Sequence, residues 1–191
     1  MLVMFYGTKM AIKMGNKIAT IRFAAISIVS AVVLVLLFTL GDPTIIGTNI
    51  PFTILFLLVY CVFTGARGVG NAVVRPMIAD VTDEELERTG KFLPGIINVT
   101  YTFIDKLISS LAATIVGLVL AAIGYSSSMP QIGDPVTGPI LVAAMFIWMG
   151  IPIIGWACSI VAMRFYDLDP AKVEKIQASV SEKKKALANK G

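Results

Sequence analysis

The sequence predicts an all-α integral membrane protein of about four transmembrane helices, and three observations carry that reading. The 191 residues are 57% hydrophobic and only 15% charged, whereas a soluble domain is roughly 45–50% apolar and about 25% charged. The mean hydropathy is +0.84. Apolar runs recur at lengths that cross a bilayer core, and Lys and Arg gather on one side of them.

Met1 to Tyr6 are apolar but too few to span, and they lead into a basic stretch carrying Lys9, Lys13, Lys17 and Arg22. A signal peptide has its charges before its apolar stretch, and here the order is reversed. Residues 1–22 therefore read as the end of a preceding helix plus a basic cytoplasmic connection. The membrane region is expected over 23–166, with spans at about 23–40, 50–72, 93–124 and 139–163, and residues 167–191 form a basic cytoplasmic tail.

The first span, Phe23 to Leu40, is broken only by Ser27, Ser30 and Thr39 and stops at the turn signal Gly41-Asp42-Pro43. The second opens with Pro51, where a missing N–H costs little, and its most apolar part ends at Arg67. Arg75 to Lys91 is too charged to lie in lipid and reads as a cytoplasmic connection. The third span is interrupted near its middle by Asp105 and Lys106, and the fourth contains Pro152. Between them, Ser126 to Gly138 is rich in Ser, Pro and Gly and has no basic residue. Lys172, Lys175, Lys183, Lys184, Lys185 and Lys190 make the tail basic, with apolar spacing that permits a short surface helix.

Four Lys or Arg precede the first span, four lie between Arg67 and Lys91, and seven follow the fourth span. Fifteen of the sixteen thus fall on one side, which places both termini in the cytoplasm by the positive-inside rule. The localisation expected is a multi-pass protein of the cell membrane, with the lipid bilayer as its main partner and no role for nucleic acid.

Histidine is absent, which removes His-activated nucleophiles, His metal ligands and the commonest general base. No residue is assigned a catalytic or metal-binding role, and an enzyme is not expected. Cys61 and Cys158 lie inside apolar runs without C-x-x-C spacing and are expected to be buried thiols. The acidic run Asp83 to Glu87 lacks the glycine and ligand spacing of a calcium loop. Gly65, Gly68 and Gly70 follow no strand, so they do not suggest a dinucleotide site.

The chemistry concentrates in the third span. At about 100° per residue, Asn98, Thr102, Asp105, Lys106 and Ser109 fall on one polar stripe. Ile104, Leu107, Ile108, Leu111 and Leu118 take most of the other side. The expectation is a stripe turned toward other helices or a water-filled cavity, with the apolar side toward lipid. Lys106 is too deep to snorkel easily, and a charge at the bilayer centre costs about 2.5–3.5 kcal/mol on insertion scales. One reading is that it ties helices together through an acidic partner; the other is that it serves a ligand or a coupling cation.

The ordered set Met77-Ile78-Ala79-Asp80 with Asp83, Thr89-Gly90-Lys91 with Gly95, Thr102-Phe103-Ile104-Asp105-Lys106, and Ile123-Gly124-Tyr125 carries a resemblance. It resembles the glycoside–pentoside–hexuronide:cation symporters, the melibiose-permease branch of the major facilitator superfamily. Arg164-Phe165-Tyr166 with Leu168, and Lys175-Ile176-Gln177, resemble that family's exit from its last helix.

The resemblance implies a chain running from the end of helix eight through helix twelve, as part of the carboxy-terminal helix bundle of a major-facilitator fold. It implies that Lys106 faces the central cavity with Thr102 beside it, and that Asp80, Asp83, Thr89, Gly90 and Lys91 form a cytoplasmic loop motif. Leu86, Phe92 and Pro94 depart from the family pattern, standing where it has Glu, Arg and Glu.

The implied function is the carboxy-terminal part of a secondary active transporter that carries a sugar or glycoside together with H+ or Na+. No organic cofactor is implied, and the cation ligands would lie outside this chain, on the missing amino-terminal helices, which become a further partner. A lysolipid carrier is a variant within transport. A non-transporting four-helix subunit, or a gene remnant, is the competing class.

Overall fold

The computed structural model describes residues 2–125 and 137–188, and every regular element among them is helical. Helix α1 spans Leu2–Met14, α2 Asn16–Leu40, α3 Ile50–Thr89, α4 Pro94–Ala122, α5 Gly138–Met145, α6 Ile151–Ala162 and α7 Pro170–Ala188. Among the described residues, α2, α3, α4 and the segment Gly138–Phe165 are long and apolar enough to cross a membrane. The all-α membrane architecture expected from hydropathy is therefore what the chain adopts. Most of the loop expected at 126–138, with Lys190 of the tail, lies outside the described residues.

Two stretches expected as connections are helical. The basic stretch after Met1 belongs to α1 and to the start of α2, which meet at Gly15. Gly15 has φ of 82°, and a Cβ there would run into the ring of Pro170, so glycine is required both for the backbone and for the approach of α7. Helix α3 likewise does not stop near Arg67. It continues through Pro76 and the acidic run to Thr89, where Gly90, at φ of 72°, ends it with its N–H on the Leu86 carbonyl. Hydropathy marks where lipid contact ends and not where the helix ends, and the charged half of α3 has good helix formers in Glu84, Glu85, Leu86, Glu87 and Arg88. At its other end, Asn49 caps α3 by accepting from the Phe52 N–H at 3.2 Å.

The core is the α2–α3 pair. Ala19 and Phe23 of α2 pack with Ala66, Val69 and Val73 of α3 and with Ala11 of α1. The alanines at this seam let backbones approach closely, the usual route to helix association in lipid. Farther along, Ala31 and Leu34 meet Phe63 and Met149, flanked by Trp156. Between α5 and α6 the chain makes one π-helical turn, Phe146–Gly150, in which the Ile151 N–H reaches back to the Phe146 carbonyl. Pro152 lies just beyond; its missing N–H and its ring clash with the preceding turn account for the widened ladder.

Helix α7 folds back onto the charged half of α3, burying Leu86, Leu168, Ile176 and Val180 together. Lys172 also pairs with Glu84 at 2.7 Å, with both side chains more than a third exposed. Each buried aliphatic contributes about 1.5–3 kcal/mol, whereas an exposed ion pair contributes about 0–1 kcal/mol. Apolar burial therefore holds the tail, and the ion pair sets its register.

Cys61 and Cys158 are exposed on the outside of the described bundle, not buried within it. Their apolar runs face outward as well as inward, as expected where lipid, not water, covers the surface.

Candidate functional site

Helix α4 stands apart from the rest of the bundle. None of its residues is buried, whereas α2 buries seven. Ile97, Tyr101 and Ile104 line a groove of about 430 Å³ shared with Val74 and Ile78 of α3 and Met163 beyond α6. These three define the side of α4 turned toward the chain's other helices.

The polar stripe is about a third of a turn away from that side. Asn98, Thr102, Asp105, Lys106 and Ser109 are all exposed. Within the described residues, then, Ile97, Tyr101 and Ile104 turn the apolar side of α4 toward the groove instead of away from the bundle, and Thr102, Asp105, Lys106 and Ser109 point outward, the direction in which a facing helix or a water-filled cavity would lie. The two sides were assigned by polarity alone, which cannot say which of them meets a neighbour.

At the charged end of the stripe, Asn98 joins Arg75, Thr82, Asp83, Phe92 and Pro94 around an open cleft of about 390 Å³. Thr102 donates to the Asn98 carbonyl at 2.8 Å, which leaves the hydroxyl's lone pairs facing outward. Among the described residues, the Asp105 and Lys106 side chains have neither an ion pair nor a hydrogen bond, with each other or with any other group. An internal helix tie through Lys106 therefore has no support in this chain.

The five loop-motif residues separate. Thr89, Gly90 and Lys91 form the turn after α3, where the Lys91 N–H reaches the Thr89 hydroxyl at 3.3 Å. Asp83 lines the cleft, while Asp80 is buried. Asn16 at the start of α2 donates to the Asp80 carboxylate at 2.6 Å, and the Tyr166 hydroxyl reaches the same oxygen at 3.4 Å. Asp80 thus joins α2, α3 and the end of the last span.

Neither Asn16 nor a pairing role for Tyr166 was visible in the sequence. The contacts cross 64 and 86 residues, and no local periodicity reports a partner at that distance. The one available signal was an isolated carboxylate, Asp80, ahead of the acidic run, in a register with apolar Val73 and Met77.

Burial pushes the Asp80 carboxyl above its ordinary range; the hydrogen bonds from Asn16 and Tyr166 oppose this and the charge of Asp83 adds to it. Burial, then the neighbouring Asp80, likewise raises Tyr166. The folded chain therefore holds the Asp80 proton more tightly than the unfolded chain does. That stabilisation is complete below the unfolded value of about 3.8 and is lost as pH rises through the higher folded value. Asp80→Asn keeps an acceptor for Asn16 but cannot ionise. The melting temperature of the unaltered chain, relative to this variant, should rise as pH is lowered from neutral toward the carboxylate range. Parallel curves would show that Asp80 titrates as an ordinary carboxylate.

Comparison with known proteins covers most of the chain. Residues 1–170 match the family model described as MFS/sugar transport protein. The chain is 30% identical over 123 residues to YagG of Escherichia coli (strain K12), a candidate glycoside/cation symporter. That alignment takes in 64% of this chain and 24% of the relative, so the chain spans about a quarter of the length of the curated protein it matches. No solved structure matches it significantly. With four apolar helices of spanning length and a family match over nearly all of its residues, the chain belongs to the MFS/sugar transport protein family of membrane transporters.

Proposed function

We propose that this chain supplies the carboxy-terminal helices of a secondary active transporter that moves a sugar or glycoside with H+ or Na+. One observation carries the reading: α4 turns Thr102, Asp105, Lys106 and Ser109 away from the chain's own helices, with the Asp105 and Lys106 side chains unpartnered among the described residues. A charged, outward-facing stripe of that kind is costly in lipid and calls for an aqueous cavity or a facing bundle. Midplane sites between two helix bundles are how such transporters bind substrate.

In this reading the amino-terminal helices face α4, and the ligands of the coupling cation lie on them. Lys106 and Thr102 would then meet substrate, with Asn98, Asp105 and Ser109 extending the cavity wall. The charged end of the chain, with both termini, faces the cytoplasm of a cell membrane, supported by the positive-inside pattern. The match to a candidate glycoside/cation symporter supports a sugar ligand over a lysolipid.

The test is uptake of labelled glycosides into vesicles containing the 191-residue chain, alone and joined to an amino-terminal bundle from a relative. The chain alone should give the uptake of empty vesicles, and the joined protein should exceed it. Uptake by the chain alone would contradict the two-bundle site.

A further inference from the structure

Arg67 occupies an unusual place in α3. At ~1.5 Å per residue it lies roughly 20 Å along the helix from Asp80 and roughly 25 Å from Ile50. It is therefore far from both ends of the 40-residue helix, level with Phe23 and Ser27 of α2, which border the same cavity. A guanidinium stays protonated at any ordinary pH, and Arg67 stands where the apolar half of α3 gives way to its charged half, with its side chain exposed in the described bundle. Among the described residues the Arg67 side chain has no ion pair or hydrogen bond.

What lies beside it is a partly open cavity of about 150 Å³ between α2, α3 and α6. Its polar wall is Thr20, Ser27, Asn71 and Ser159, with Trp156 closing one side. Ser27 is almost fully buried, Thr20 and Ser159 are half-buried, and Arg67 and Asn71 are exposed, so the polarity runs from inside the bundle out to its surface. The space is enough for a few waters, at ~30 Å³ each, or for a small organic acid. It is separate from the α4 stripe, none of whose residues borders it.

We propose that this cavity is a binding site for a small carboxylate, held by Arg67 and completed by the surrounding hydroxyls and the Asn71 amide. The chemistry selects that class. A planar guanidinium offers two parallel N–H donors that match the two carboxylate oxygens. The rest of the wall is uncharged, so one cation balances a monoanion and would leave a phosphate dianion short of positive charge. Hydroxyl and amide groups complete the hydrogen bonds that a carboxylate needs away from water.

Trp156 provides the readout, because the chain has only two tryptophans and the other, Trp148, does not border the cavity. The experiment is a fluorescence titration of the full chain carrying Trp148→Phe, in lipid nanodiscs, with sodium acetate, sodium glucuronate, glucose and sodium chloride at matched ionic strength. It needs no transport, so it stands or falls independently of the two-bundle reading. Acetate should produce a saturable change in Trp156 emission, with glucose and chloride producing none. Arg67→Gln should weaken that response at least about tenfold, the factor for ~1.4 kcal/mol, and Arg67→Lys should weaken it less.

Equal titration by acetate and glucuronate identifies the free carboxylate as sufficient, whereas a response to glucuronate alone identifies a carboxylate borne on a sugar. Both uphold the site. If Arg67→Gln loses its helical circular dichroism, Arg67→Lys decides, since it keeps the charge and loses only the fork. A flat response to both acids, an equal response to glucose or chloride, or an unchanged response in the folded Arg67 variants overturns the proposal. Arg67 would then serve lipid headgroups or another part of the transporter.

Discussion

Lys106→Ala, made in a full transporter that carries this chain, should reduce glycoside uptake by at least about tenfold, the effect of losing ~1.4 kcal/mol of interaction, while the amount of folded protein in the membrane is unchanged. Two features separate these outcomes. Lys106 is exposed on α4 with no partner among the described residues, so its removal strands no carboxylate within this chain. Removing a midplane charge also relieves an insertion cost of about 2.5–3.5 kcal/mol, which favours normal abundance.

A helix tie to an acidic residue elsewhere in the transporter would give the reverse pattern. Loss of one partner of a buried pair costs about 3–5 kcal/mol, so abundance or thermal stability would fall along with uptake. Uptake and membrane abundance must therefore be measured together, for Lys106→Ala beside the unaltered protein. Normal uptake at normal abundance would remove Lys106 from the site.

The four long apolar helices were legible in the sequence because hydropathy and length are local properties, and Pro51 marks the start of α3 by a local rule. The extents of the helices were less legible. Arg75 to Lys91 has the composition of a connection, yet it continues α3 because Leu86 has Leu168, Ile176 and Val180 to pack against. That partner arrives from the far end of the chain, and no window of sequence contains both.

The same limit applies to the site. Angular spacing on a helix gave the α4 stripe, but not its direction relative to the bundle. The direction follows from Ile97, Tyr101 and Ile104 closing over Val74 and Met163, a matter of shape across three elements. Asp80 was singled out through the resemblance, but its burial and its links to Asn16 and Tyr166 needed the fold.

Whether the α4 stripe faces water is best settled by thiol accessibility. In a full transporter lacking Cys61 and Cys158, single cysteines would replace Thr102 and Ser109 on the stripe, and Ile97 and Ile104 on the side that closes the groove. A water-soluble thiol reagent attacks the thiolate, which forms in water and is suppressed in apolar surroundings. Rapid labelling at Thr102→Cys and Ser109→Cys is expected, slowed by a transported glycoside, with labelling at Ile97→Cys and Ile104→Cys slower by about tenfold or more. Equal rates at all four positions, or faster labelling at the two isoleucine positions, would contradict a stripe that lines an aqueous pathway.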